Sequence, residues 1–230
     1  MQSKIRQSIL LGVGLLGLAS AAHAELTANA GVTTNYVFRG ETQTDDNIAI
    51  QGGVDFTNEF EHDGTLYLGA WASNVDFPNN TVNNQSQPAD GFEVDLYVGY
   101  NFKLNEDVKF DIGYIAYEYT DSNRSDLSEI FFGAGFKDFS TTYYAGNADR
   151  GSDYTYIDLK YSFELPKEYN IHLHYGSLDP DNGTGAEDVS IGVSKMLVGI
   201  DFSLTATSID RDNNTDDTKV FITGVKTFDF

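Results

Sequence analysis

Along much of the chain, apolar and polar residues alternate with a period of two. In the cleanest run, Phe92, Val94, Leu96, Val98, Tyr100 and Phe102 interleave with Glu93, Asp95, Tyr97, Gly99 and Asn101. Successive strand side chains point to opposite faces, so this run predicts a β-strand with one apolar and one mainly polar face. The same alternation predicts strands over 26–39, 48–57, 155–163, 170–175 and 198–206. Looser alternation adds strands near 65–74, 108–119, 129–137, 140–147, 188–195 and 219–230, about twelve in all.

The connectors between these segments are alternately long and short. Long ones, rich in Asp, Asn, Gly and Ser, fall near 40–47, 74–90, 120–128, 148–153, 177–187 and 209–217, and short ones near 58–64, 103–107, 137–140, 164–168 and 195–197. An even number of strands joined by short turns at one end and long loops at the other predicts an all-β fold, an antiparallel up-and-down transmembrane β-barrel. With both termini periplasmic, the long loops face outward from the cell. Aromatic residues then fall at two heights, where headgroup girdles are expected. Phe56, Phe102, Phe136, Phe163, Phe228 and Phe230 lie toward the periplasmic ends, and Tyr36, Phe38, Tyr117, Tyr119, Tyr143 and Tyr175 toward the external ends. Outer-membrane barrels resemble one another in a last strand that ends on Phe, which the outer-membrane assembly machinery reads. Phe228 and Phe230 are the candidate signal here, with Lys226 on the same face expected to snorkel toward the headgroups.

The N-terminus changes the compartment. Lys4 and Arg6 precede the apolar run Ile9–Leu18, and small residues end in Ala22-His23-Ala24. That order reads as a cleaved secretory signal. The run is about half of the roughly 20 residues that a membrane helix needs. The expected organisation is a signal peptide over 1–24 and one barrel over 25–230, placed in the outer membrane of a Gram-negative bacterium. Acidic residues number 35 against 14 basic, a formal charge of −21, and loss of Lys4 and Arg6 makes the exported chain more anionic still. Such a surface repels nucleic acid. There are no cysteines, hence no disulfides and no thiolate metal site. A soluble β-sandwich fits the composition too, but it would gather its aromatics in one core.

The polar face carries the candidate chemistry. Alternation points Asp55, Glu93, Asp95, Asp111, Glu129, Asp158 and Asp201 inward, against Arg39, Lys109, Lys137 and Lys160. Carboxylates lining a pore favour cations. The candidate pore-lining residues are therefore Arg39, Asp55, Glu93, Asp95, Asp111, Asp158, Lys160, His172, His174 and Asp201; paired across strands, the same charges would instead plug the interior. His172 and His174 share a face, but no further ligand stands at metal spacing, so they read as polar lumen residues, with Asp158 and Tyr156 on the preceding strand placed to hydrogen-bond to them, and no metal or cofactor is assigned. The stretches 179–185 and 210–217 look faintly like calcium loops but lack the complete pattern, and Asp, Asn and Gly are ordinary turn formers. A lipid-modifying enzyme would need a serine beside a histidine at the membrane surface; Ser177, Ser190 and Ser203 are candidates without a local signature. The expected function is a non-enzymatic porin or channel for passive diffusion of small solutes, cation-preferring or open to neutral solutes. The alternatives are that enzyme and a non-conducting structural or adhesive barrel. Expected partners are small solutes, outer-membrane lipid and lipopolysaccharide, and the assembly machinery; the oligomeric state stays open.

Residues Thr34-Asn35-Tyr36-Val37-Phe38-Arg39-Gly40-Glu41-Thr42-Gln43-Thr44-Asp45-Asp46, followed by Ala49-Ile50-Gln51-Gly52-Gly53-Val54-Asp55-Phe56, carry a resemblance. The segment is similar to the opening of the TorF-type porin family of proteobacteria, from which Glu41 and Thr42 depart mildly. The resemblance implies an outer-membrane porin-like barrel and brings no established substrate or catalytic residues. Independently of it, Arg39 is expected at the outer mouth, held by Asp45 and Asp46, where it pins the first hairpin or shapes a constriction.

Overall fold

The structure is a computed structural model that describes residues 24–60, 64–77, 81–82, 85–86, 90–120, 125–148, 152–213 and 215–230. The expected signal peptide lies outside the described residues except for Ala24. In chain order the strands are β1 (Ala24–Thr33), β2 (Val37–Phe38), β3 (Glu41–Thr42), β4 (Ala49–Phe60), β5 (Gly64–Asp76), β6 (Thr81–Val82), β7 (Gln85–Ser86) and β8 (Asp90–Lys103). They continue with β9 (Val108–Thr120), β10 (Leu127–Phe136), β11 (Phe139–Ala148), β12 (Tyr154–Leu165), β13 (Tyr169–Pro180), β14 (Ala186–Leu197), β15 (Ile200–Arg211) and β16 (Asp217–Asp229).

Twelve of these strands form one closed antiparallel barrel, in the order β1-β16-β15-β14-β13-β12-β11-β10-β9-β8-β5-β4. Closure leaves no unpaired edge, which is what a sheet crossing hydrocarbon requires. The seam joins β1 to β16 from Thr27↔Asp229 to Thr33↔Thr223, and the Phe230 amide extends it by donating to the Leu26 carbonyl at 3.0 Å. The start of β1 and the end of β16 therefore share the short-turn end. The two remaining pairs, β2 with β3 and β6 with β7, are two-stranded sheets outside the barrel wall.

The burial pattern is inverted relative to a soluble protein. Outward apolar side chains stay exposed: Ile50 is 70 % exposed, Ile130 61 % and Leu96 51 %. Inward polar ones are covered, with Glu93 and Glu129 each 1 % exposed. A continuous exposed apolar belt of this kind excludes the soluble sandwich and is the lipid-facing band of a membrane barrel. Leu96→Arg, at mid-belt in β8, is expected to cost about 2–4 kcal/mol in a bilayer, read from urea titrations of folding into phosphatidylcholine vesicles. A loss below roughly 0.5 kcal/mol, as at an ordinary water-facing position, would contradict the assignment.

The girdle at the short-turn end is present. Phe56, Phe102, Phe136, Phe163, Phe228 and Phe230 have the outward parity, and Phe102, Phe110 and Phe132 stack along it with centroids 5.2 and 6.1 Å apart. The girdle expected at the opposite end is largely absent. Only Tyr143 and Tyr175 of the six named there face outward; Tyr117 packs in the inner aromatic cluster with Phe38 and Tyr119 against it, and Tyr36 lies against Trp71. Height along a strand does not choose the face; parity does. Tyr117 and Tyr119 share the parity of Asp111, an inward position.

Two further expectations are corrected. The first strand ends at Thr33 and does not run to Arg39, because side chains near its end take over the backbone's partners. The Thr33 hydroxyl donates to the Asn35 carbonyl at 2.8 Å, and the Ile222 amide donates to the Thr34 hydroxyl at 3.0 Å. Lys137 does not point inward. It occupies the β10–β11 turn at a φ of 55° and lies 3.8 Å from Asp107, more than half exposed.

Candidate functional site

The chain between β1 and β4 folds into the barrel as a small polar plug. β2 and β3 pair through Val37↔Thr42 and Phe38↔Glu41, leaving Arg39 and Gly40 as a two-residue turn with φ of 49° and 79°. Both central residues of a type I′ turn need positive φ. Gly40 supplies it freely, whereas at Arg39 it costs roughly 1–2 kcal/mol. Gly40 is also sterically required, since an added Cβ would lie 2.8 Å from Ile209 Cβ and 2.9 Å from Asp188 Cβ. The hairpin base is tied by its own side chains and by the end of β5. Thr42 Oγ1 donates to Asn35 Oδ1 at 2.7 Å, Asn35 Nδ2 donates to Asp46 Oδ1 at 2.7 Å, and the Asp76 amide donates to the Gln43 carbonyl at 2.8 Å.

The turn carries Arg39 across the lumen to β10. Its guanidinium meets Glu129 in a bidentate pair, Nη1 to Oε1 at 2.6 Å and Nη2 to Oε2 at 3.0 Å. The Glu129 side chain is fully covered and Arg39 is 12 % exposed. Asp45 and Asp46, expected to hold Arg39, do not: Asp46 accepts from Lys219 at 2.6 Å, while Glu41 pairs with Arg211 at 3.1 Å. Glu129 also accepts from Tyr117 Oη at 2.9 Å and Tyr154 Oη at 2.8 Å. Aromatic faces surround the guanidinium carbon, with centroids 4.0 Å away in Tyr156, 4.7 Å in Phe38 and 4.9 Å in Tyr144, inside the range of cation–π attraction.

The rings find room because glycines stand opposite them. Tyr67 is the register partner of Gly99, Phe131 of Gly113 and Tyr154 of Gly146, and a Cβ on each glycine would fall 2.1–2.5 Å from its partner's ring atoms. The glycines thus make space for side chains crossing the lumen, a use distinct from widening a pore. The inner wall is two-sided as a result. β5 and β8 to β12 contribute most of the rings, while β14 to β16 and β1 present mainly small residues such as Gly192, Ser194, Ser203, Thr205, Thr223 and Gly31, with Phe221 an inward ring on β16.

All ten candidate pore residues face the interior, and most are held there. Tyr97 Oη donates to Asp55 at 2.9 Å and Tyr67 Oη to Asp111 at 2.6 Å. Tyr119 Oη donates to Glu93 at 3.1 Å, and Asp95 is buried beside Glu93. Asp158 pairs with Lys160 and His174. His174 lies between Asp158 at 3.4 Å and Asp188 at 3.2 Å, and Asp188 accepts from Tyr156 Oη at 2.9 Å. Nearer the short-turn end, His172 Nδ1 is 3.1 Å from Ser162 Oγ and its Nε2 is 3.1 Å from Ser194 Oγ, with Asp201 beside Ser194. Ser177, a candidate by proximity in sequence, has the outward parity of Leu173 and Tyr175. Among the described residues no cluster of His, Cys, Asp or Glu has the geometry to hold a metal ion.

Tyr156, expected beside the lumen histidines, lies 3.2 Å from His174 Nε2; sequence reasoning missed Asp188 and the other tyrosines that bind the carboxylates. Asp188 was detectable, since Val189 and Ile191 alternate with it as outward residues. The tyrosines were not, because an aromatic on a polar face scores as apolar until its hydroxyl's partner is known.

A model of one bacterial family matches residues 18–230. The chain belongs to the Gcw_chp family of bacterial proteins of unknown function. No curated protein shows significant sequence similarity to it. Among solved structures, this Gcw_chp barrel is similar to an outer-membrane channel from Pseudomonas putida F1, at 8 % identity and a TM-score of 0.61 over 92 % of this chain and 97 % of that one. It is also similar to the KdgM porin, at 9 % identity and a TM-score of 0.50 over 89 % and 99 %. At such identities the likeness establishes the architecture, an outer-membrane-type β-barrel.

Proposed function

We propose that this Gcw_chp member is an outer-membrane channel for passive diffusion of small solutes, with cations preferred, in keeping with the TorF-type porins it resembles. It is exported behind a cleaved leader, set in the outer membrane of a Gram-negative bacterium by the assembly machinery reading Phe228 and Phe230, and surrounded by lipid and lipopolysaccharide. The long loops then face the exterior and the short turns the periplasm. One observation carries the reading: within a closed barrel, inward carboxylates such as Asp55, Glu93, Asp95, Asp111, Glu129, Asp158, Asp188 and Asp201 outnumber the inward cations, among them Arg39, Lys109, Lys160, Arg211 and Lys219. Their excess leaves a negative interior potential, which concentrates cations. The two solved barrels named above are a channel and a porin, which adds support.

The β2–β3 hairpin is the constriction. It reaches across the lumen from Glu129 on β10 to Asp188 and Ile209 on β14 and β15, so passage runs through what it leaves open and on toward the short turns past the partly exposed Asp201 and Lys160. In planar bilayers under a potassium chloride gradient, the reversal potential is expected to have the cation-selective sign and to move toward zero in Asp201→Asn. No conductance, or an anion-selective potential, would overturn the proposal. The lipid-modifying alternative has one observation on its side, the contact of His172 with Ser162 and Ser194. That contact lies inside the lumen near the short turns, away from the lipid face, and both ring nitrogens are engaged by hydroxyls with no carboxylate on either. A nucleophile triad needs an acid orienting the base, so the channel reading is the better supported.

A further inference from the structure

The group that fills the barrel's aromatic pocket belongs to the protein itself. Nearly every part of that pocket comes from the barrel wall: Glu129 on β10, Tyr117 on β9, Tyr144 on β11, and Tyr154 and Tyr156 on β12. Only Phe38 comes from the hairpin that delivers Arg39. The wall groups are fixed by barrel pairing and would keep their places if the guanidinium left, since Tyr117 and Tyr154 go on donating to Glu129. The hairpin is the weaker partner, with two register pairs and partly exposed ion pairs from Glu41 and Asp46.

We propose that this pocket is a recognition site for small solutes bearing a guanidinium group, and that Arg39 occupies it as a built-in competitor. The inference rests on the channel reading and names the class of cation that the channel selects. The chemistry favours a planar guanidinium over a compact ammonium. A covered carboxylate offers two oxygens side by side, which suits a bidentate fork, and flat ring faces stack on the same plane. Inorganic cations lack both features. A solute that replaces Arg39 removes the contact that holds the hairpin across the lumen, so binding and widening of the constriction are coupled.

Isothermal titration calorimetry with N-methylguanidinium on the full barrel folded in detergent tests this. Arg39→Ala is expected to bind one equivalent, while the unaltered barrel shows no saturable heat at the same concentrations because Arg39 is in place. Adding Glu129→Gln to Arg39→Ala should weaken binding by at least about tenfold, since a charge-assisted bidentate pair becomes a neutral contact, and neither potassium nor urea should compete. Should Arg39→Ala fail to fold, Arg39→Gln, which keeps most of the volume, takes its place. Absence of saturable binding in the Arg39 variant, or binding indifferent to Glu129, overturns the proposal. Conductance of the same variant separates the two readings. Current without Glu129-dependent binding leaves the channel standing and removes the site; binding without current does the reverse.

Discussion

Glu129→Ala is expected to release the hairpin while leaving the barrel folded. The substitution strips the Arg39 guanidinium of its carboxylate in a place where it is 12 % exposed and leaves Tyr117 and Tyr154 without their acceptor. Removing one partner of a buried ion pair costs about 3–5 kcal/mol, because the remaining charge stays desolvated. None of the barrel's backbone ladder depends on Glu129's side chain, so the cheapest relief is for Arg39 to withdraw toward water, taking β2 and β3 with it. At 1.4 kcal/mol per factor of ten, such a cost shifts the hairpin equilibrium by about a hundredfold or more. Trypsin reads the shift directly, since the bond after Arg39 is shielded in the native barrel and open once the hairpin leaves. Mass spectrometry should find a cut at Arg39 in Glu129→Ala and none in the native barrel, together with a larger single-channel conductance. Adding Arg39→Ala should recover part of the lost stability, as coupled partners do in a double-mutant cycle. A Glu129→Ala barrel as resistant to trypsin as the native one would show that the pair does not hold the hairpin.

A second large effect is expected at Gly40, for reasons of shape. Gly40→Val places a β-branched residue at a φ of 79°, a backbone strain of about 1–3 kcal/mol. It also pushes a side chain into Ile209 and Asp188, whose Cβ atoms lie within 2.9 Å of the position its own Cβ would take, adding overpacking of about 1–3 kcal/mol. Ile209 and Asp188 sit on paired strands β15 and β14 and cannot yield, so the turn must. The outcome should match Glu129→Ala, with cleavage at Arg39 and raised conductance, although no charge has changed. Gly40→Ala, with the same backbone strain but no branched bulk, should show a smaller form of both. If Gly40→Val stays uncut, the turn does not seat against β14 and β15 as described.

The two variants also mark where sequence reasoning reached its limit. Parity is a local property of an extended chain, so the inward set from Asp55 to Asp201 could be read from alternation alone, as could the strand number and the alternation of short and long connectors. The Phe ring at the short-turn end was legible for the same reason, with Phe230 as its last member. Tyr117 and Tyr119 have the height of an outer girdle but the inward parity of Asp111, and on a strand parity alone decides the face.

Other features have no local signature. That Arg39 meets Glu129 depends on a separation of 90 residues, bridged only because the chain between Thr33 and Ala49 leaves the wall and folds inward. Nearby Asp45 and Asp46 were the natural partners by sequence distance, yet the left-handed turn at Arg39 and Gly40 aims the side chain away from them. Likewise the fit of Tyr67, Phe131 and Tyr154 over Gly99, Gly113 and Gly146 depends on strand register, which no local pattern specifies. The alternation of residue types by itself determined the strands and which of their side chains share the inward face, because a strand's two faces are set one residue at a time. Which of those side chains meet, and that a hairpin fills the lumen they enclose, was decided only by the tertiary structure, because contacts across a barrel depend on closure, register and the path of a loop together.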